Sequence, residues 1–370
     1  MNHNFFQAIG LADMEKVHSA VIGWMLSEDC NAFDIKAKSN LLCLLFAEPY
    51  TNFDIINIRV EFQNLDILIK TTAREVTTYW VIENKLKSSQ HDNQLERYVN
   101  ELTEKAGFCE KKYCLLSLIS ENPVCKSAKW YSTTYGQLAG FLENAISSGN
   151  KEEKDYIIVK EYHECIVTMN AALEDFLKSP KDYPSVFLNG SKRKGEKFFT
   201  TAEGKFAGFI GDNNLETIFQ KCYLGKLLQE LNVEKQPQLT IYETRGTALI
   251  DYLSYNDLSF GLESHIQIQN GTFKVFLGQS KGKNENKTSF LNDWGNVLVE
   301  LEEQYGDRGW HVNPPKTKPS ISISKPDKDW YKMPHQEIID KWNKTYYESR
   351  AIQNIIKKAV QGKCRKSYKE

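Results

Sequence analysis

An α/β domain followed by a second, α+β domain is what this 370-residue sequence predicts. Three observations carry that expectation. Residues 13–118 run in the order helix, three strands, helix, strand. The segment Ser179–Pro184 then places two prolines in six residues, the best boundary in the chain. Beyond it, strand-type runs around Asn270-Gly271 alternate with helical stretches. The length suits two domains, residues 1–180 and 181–370, each large enough to bury its own core.

Met14, Val17, Val21, Trp24 and Met25 recur at helical spacing, and Asp13 can cap the helix they define over residues 13–27. A loop over Cys30–Lys38 leads to a second apolar helix, Ser39–Ala47, stopped by Pro49. Ile55–Phe62 reads as a strand, with Gln63-Asn64 as its turn. Two more strands follow, Leu65–Ile69 and Tyr79–Leu86, joined through the polar stretch Lys70–Thr78. A helix over Asp92–Ala106 stacks Gln94 and Tyr98 one turn apart. Lys112–Leu118 is an apolar strand, and helices are expected over Thr134–Ile146 and Asp155–Leu177. In the second half, residues 215–231 and Pro334–Val360 read as helices. Gln238–Ile250, Ser259–Gln269 and Thr272–Gly278 read as strands, the last two joined by a hairpin at Asn270-Gly271. Asn284–Lys287 and Asn313–Lys328 read as loops.

Charge interrupts two of the apolar strands: Asp66 in Leu-Asp-Ile-Leu-Ile, and Glu83 and Lys85 in Tyr-Trp-Val-Ile-Glu-Asn-Lys-Leu. Residues two apart point to one face of a strand, so Glu83 and Lys85 emerge together. Antiparallel pairing brings Asp66 beside them. Carboxylates and an ammonium on an apolar sheet are costly unless they bind something. A hard divalent cation such as Mg²⁺, which takes carboxylate oxygens, is the natural guest. An ordinary Glu–Lys pattern on a strand edge is the plain alternative. On the first helix Glu15 and His18 are neighbours, readable as a site pair or as a solvated carboxylate and a packed histidine.

The spacing Asp-x16-Glu-x-Lys resembles the motif of the PD-(D/E)xK nuclease superfamily. Gln94-Leu-Glu-Arg-Tyr98 is similar to the Gln-apolar-x-x-Tyr signature of its helicase-associated exonuclease branch. The segment Glu15-Lys-Val-His-Ser19 through Leu26 looks like the opening helix of one bacterial subfamily. These blocks cover roughly residues 13–120. The resemblance implies a restriction-endonuclease-like core and a nuclease dependent on Mg²⁺ or Mn²⁺, with DNA favoured over RNA as substrate and neither identified by the residues. It implies Asp66, Glu83, the Asn84 main-chain carbonyl and Glu15 as metal ligands, with Lys85 and Gln94 completing the catalytic set. His18 and Tyr98 would touch substrate. Outside the resemblance, the basic loop with Lys192, Arg193 and Lys194 is a candidate for holding substrate on its charge alone. By analogy the resemblance extends to anti-phage defence or DNA processing, with a second copy or a defence protein as partner. An inactive nuclease fold serving as a nucleic-acid-binding scaffold is the alternative, which the intact motif disfavours.

Composition sets the outer bounds. Hydrophobic residues make up 41% and charged residues 26%, as in a soluble globular protein. No apolar run approaches the roughly 20 residues a membrane-spanning helix needs. The first residues lack a secretory pattern, and the eight cysteines include no Cys-x-x-Cys, so a cytoplasmic location is expected. Cys109, Cys114 and Cys125 do not have iron–sulfur spacing and read as free thiols. Residues 1–180 hold 18 Lys and Arg against 25 Asp and Glu, a net −7; residues 181–370 hold 29 against 23, a net +6. The basic half is therefore expected to assist in holding a polyanion. Trp294, Trp310, Trp330 and Trp342 read as packing residues, with base stacking as the alternative.

Overall fold

The computed structural model describes residues 4–367 apart from 87–89, 91–92, 149–150, 189–203, 234–238, 245–246, 259–260, 280–286, 315–318 and 328. It divides into two compact units, Met1–Ser185 with Lys197–Cys222, and Val186–Glu196 with Tyr223–Glu370. The expectation placed the division after residue 180; by compactness, residues 197–222 go with the first unit.

In the first unit the expected order of helix, three strands, helix and strand is present. Helix α1 (Phe5–Ala8) precedes α2 (Glu15–Leu26) and α3 (Ile35–Leu45). Helix α3 starts four residues before the expected Ser39, because the Asp34 carboxylate accepts from the Ala37 N–H at 2.8 Å and caps it there. Strands β1 (Ile55–Phe62), β2 (Leu65–Ala73) and β3 (Val76–Lys85) form an antiparallel meander. Helix α4 (Gln94–Ala106) then crosses to β4 (Glu110–Ser117), which pairs parallel with β3. The strand β5 (Trp130–Thr134), absent from the sequence expectation, pairs parallel with β4 and closes the five-stranded order β1-β2-β3-β4-β5. Helices α5 (Tyr135–Ser148) and α6 (Lys154–Lys178) complete this part.

The polar stretch Lys70–Thr78 corrects an expectation. It is not a connection but paired strand, Lys70 opposite Tyr79 and Thr71 opposite Thr78, turning only at Arg74-Glu75. Both turn residues have positive φ, 47° and 70°, as a tight two-residue hairpin requires. The threonines supply the β-branched character that hydrophobicity alone conceals.

Alternation divides the sheet into two faces. Leu68, Val81, Tyr113 and Leu115 pack under Leu95, Val99 and Leu102 of α4. Helix α2 lies on the opposite face, so close to β1 that a Cβ on Gly23 would overlap the Val60 side chain. That approach fixes the height of α2, and with it the position of Glu15.

The second unit holds a six-stranded antiparallel sheet. The expected strand Gln238–Ile250 is two strands, Leu239–Thr244 and Thr247–Leu258. The expected loop Asn313–Lys328 holds a strand, Ser320–Lys325, and two elements that the sequence reading did not assign are a helix over Lys287–Tyr305 and a short strand over His311–Asn313. The long helix His335–Ser367 reaches the sheet through Gln353, whose amide donates to Ser264 O at 3.2 Å. Trp294, Trp310, Trp330 and Trp342 are all buried, which makes them packing residues. Among the described residues no helix is long and apolar enough to cross a membrane.

Gly23→Ala should destabilise the fold by about 1–3 kcal/mol through overpacking, and so lower the melting temperature. Thermal denaturation followed by circular dichroism checks this. An unchanged melt would show that Val60 rotates away freely.

Candidate active site

Three residues of β3 set the geometry. Glu83 and Lys85 face α4, whereas Asn84 between them faces α2. All three are buried, at 1%, 6% and 0% exposure. Lys85 Nζ lies 2.7 Å from Glu83 Oε1. Gln94, the first residue of α4, donates its amide to the same Glu83 oxygen at 2.8 Å and also to the Tyr98 hydroxyl oxygen. Asp66, at the start of β2, accepts the Asn84 main-chain N–H on Oδ2 at 2.7 Å. Glu15, the first residue of α2, accepts the Leu86 N–H on Oε2 at 2.8 Å.

Asp66, Glu83, Lys85, Gln94 and Glu15 therefore gather at one end of the sheet. Two helices begin there, and their N-terminal dipole ends favour negative charge. Tyr98 is buried behind Gln94 and holds that amide in place. His18 lies in the interior instead. Its Nε2 meets Ala12 O at 3.0 Å, and its Nδ1 meets the Tyr162 hydroxyl at 3.0 Å. A carbonyl can only accept, so Nε2 carries the proton and Nδ1 accepts from the tyrosine. Burial holds the His18 pKa below its ordinary value, which keeps this imidazole neutral. The expected role in touching substrate does not fit that position. Lys192, Arg193 and Lys194 lie outside the described residues.

The sequence reading missed how the site is braced. The Asn84 side-chain amide donates to Glu15 O at 3.0 Å and to Ser19 Oγ at 3.1 Å, while its oxygen accepts from the Tyr135 hydroxyl at 2.8 Å. Ser19, one turn after Glu15, was legible as its neighbour. No pattern in the sequence marks Tyr135.

The charges are crowded. Burial, with Glu15 adding to it, pushes the Asp66 carboxyl up to about 6 despite the Asn84 N–H and Lys85. Burial and Asp66 push Glu83 up to about 8 and outweigh its contact with Lys85. Burial works against the Lys85 ammonium, but Glu83, Glu15 and Asp66 prevail and raise its pKa. The arrangement holds protons tightly and is short of positive charge. Among the described residues, two of its buried oxygens, Glu83 Oε2 and Gln94 Oε1, have no hydrogen-bond partner. No group of three His, Cys, Asp or Glu side chains among the described residues is by itself arranged to hold a metal ion. A cation here would rest on a mixed set of carboxylate and main-chain oxygens. Cys109, Cys114 and Cys125 are free thiols.

Residues 3–177 match the model of a family described as PD-(D/E)XK nuclease superfamily. No curated protein and no solved structure matches the chain.

The raised carboxyl pKa values fix the direction of a stability change in metal-free protein. Between the ordinary values, 3.8 for Asp66 and 4.5 for Glu83, and the folded values of about 6 and about 8, the folded state binds more protons than the unfolded one. The stability these two carboxyls contribute is therefore fully present below about pH 4, falls as pH rises to about 8, and then levels. Asp66→Asn removes one charge and should make that fall shallower. Melting temperatures across this range in EDTA test it; parallel curves for the two proteins would refute the crowding.

Proposed function

We propose that this protein is a metal-dependent nuclease, because residues 3–177 match the model of the PD-(D/E)XK nuclease superfamily. It hydrolyses phosphodiester bonds of nucleic acid, DNA before RNA, with Mg²⁺ or Mn²⁺ as cofactor. One observation supports this above the others. Asp66, Glu83, Lys85 and Gln94 converge where two buried oxygens, Glu83 Oε2 and Gln94 Oε1, lack a partner among the described residues. Buried acceptors of this kind call for a donor or a cation.

The residues fit a hard cation. Asp66 and Glu83 would hold it, supported by the Asn84 main-chain carbonyl and Glu15. Bound there, such an ion supplies Lewis-acid polarisation of the scissile phosphate and a water of lowered pKa. Lys85 is raised above the ordinary lysine pKa and stays an ammonium at neutral pH. Its role is to place positive charge against the crowded phosphoryl oxygens and to hydrogen-bond the attacking water, not to remove a proton. Gln94 fixes the rotamer of Glu83 through its 2.8 Å contact, and Tyr98 fixes Gln94. Glu15 secures the start of α2 to the strand end through the Leu86 N–H.

Incubation with plasmid, linear DNA and RNA, in Mg²⁺, Mn²⁺ or EDTA, tests the reading directly. Cleavage should require metal, and Asp66→Ala and Glu83→Ala should each abolish it in folded protein. Lys85→Met should lower turnover about 10²–10³-fold, the scale of losing one transition-state charge contact. It should leave Mn²⁺ binding by calorimetry intact, while the two carboxylate variants lose it. Since ligand carboxylates must shed protons, Mn²⁺ uptake near neutral pH should release protons into the buffer. Full cleavage by either alanine variant sinks the assignment.

A further inference from the structure

The sheet face that carries Glu83 and Lys85 also carries a cavity of about 440 Å³ beside α4. It begins at the β1–β2 turn, where its wall includes Leu65, the neighbour of Asp66, and continues to Lys70 and Tyr79. Register places its polar wall in one cross-strand row: Asn57 opposite Lys70, and Lys70 opposite Tyr79. Lys70, which opens the stretch read as a connection, is thus part of a cavity wall.

The lining has three chemistries in one enclosure. Arg59, Lys70 and Lys105 contribute three cations, against the single carboxylate of Glu101. That carboxylate is drawn toward Arg97, 3.9 Å away. Phe62 and Tyr79 contribute half-buried rings, and the Arg59 guanidinium lies 4.9 Å from the Phe62 centroid. Asn57 and Gln63 contribute amides able to pair with a base edge, Gln63 already accepting from Lys105. A purely apolar ligand would waste the cations, and a bare anion would leave the rings uncovered. A nucleotide uses all three: phosphate on the cations, base on the rings, base edge on the amides. The volume lies in the range of ligand-sized pockets, roughly 300–1,000 Å³, which admits an unpaired nucleotide but no stacked base pair of a duplex.

We propose that this cavity is a subsite for an unpaired nucleotide of the substrate strand, so that the protein engages single-stranded segments or frayed ends. The proposal rests on the nuclease reading for the identity of the polymer, but its test does not depend on cleavage.

Binding of a labelled single-stranded DNA oligonucleotide, and of the duplex of the same sequence, is measured by fluorescence anisotropy in EDTA. The full chain is used at two salt concentrations. Lys70→Gln with Lys105→Gln, both at exposed positions, should weaken single-strand binding about tenfold and reduce the salt slope by roughly 0.7 per lost contact. Tyr79→Ala should weaken it by a similar factor at unchanged slope, as loss of stacking does, and Tyr79→Phe should restore it. Duplex affinity should move far less in each case. Unchanged single-strand affinity in the lysine pair overturns the proposal, as does equal weakening of duplex and single strand. Wild-type cleavage with no effect of the cavity variants would remove the subsite and leave the nuclease. Single-strand binding through the cavity without cleavage in any metal would remove the nuclease reading and leave the subsite.

Discussion

Everything at the site depends on the alternation of side chains along three residues of one strand. Glu83 and Lys85 must face α4 together, and so Asn84 faces α2. Asn84 answers to both sides. Its main-chain N–H holds Asp66, and its side chain ties α2 to the sheet through Glu15 O and Ser19 while receiving the Tyr135 hydroxyl. A slip of one residue in β3 would exchange the faces, bury the amide under α4, and leave α2 without its anchor. The buried pairs Ile67–Ile82 and Leu68–Val81 hold the register against such a slip. Ordinary apolar packing thereby positions the polar groups to within a hydrogen bond.

That placement opposes stability. Moving two carboxylates out of water while they repel each other is unfavourable, and the raised pKa values of Asp66 and Glu83 report it. The rest of the unit offsets the strain with a continuous core: Leu65, Leu68, Val81, Leu95, Leu102 and Leu115 in one cluster. A site with unsatisfied oxygens is poorly adapted to being empty of positive charge. A residue choice that served folding alone would have put apolar side chains at positions 66, 83 and 85.

The chemistry was legible where charge broke an apolar pattern. Asp66, Glu83 and Lys85 stood out for that reason, and Gln94 and Tyr98 for their helical spacing. Glu15 was readable mainly through resemblance, since a first-turn glutamate is common on any helix. His18 misled because sequence gives the type of a side chain and not its depth; Tyr162, far along the chain, closes over it. The bracing contact from Tyr135 is a tertiary event between distant segments, with no local period to reveal it. The boundaries of β2 and β3 were lost for a different reason. Lys70, Thr71 and Thr78 look like a connection because polar residues rarely fill a strand, yet they pair in register and Lys70 lines a cavity. In the second half, Ile321 and Ile323 alternate with serines in β-strand fashion, but the Pro- and Lys-rich flanks drew the reading toward a loop.

Charge magnitudes bear on how a polyanion meets this unit at all. Residues 1–180 carry a net −7, so the long-range field of that half opposes approach. Screening limits the opposition, because at physiological ionic strength charges farther apart than about 8 Å are largely hidden from each other. Within that distance the local balance differs from the total. Arg59, Lys70 and Lys105 outnumber Glu101 around the cavity, two helix N-termini converge on the strand end, and a divalent ion would neutralise Asp66 and Glu83 between them. On the proposed reading, capture of nucleic acid would then be a short-range matter, governed by a few contacts on one sheet face. A divalent ion held at the carboxylate site would, on that reading, act twice: it would serve the chemistry, and it would lessen the negative charge of Asp66 and Glu83 that faces an incoming phosphate near Lys85.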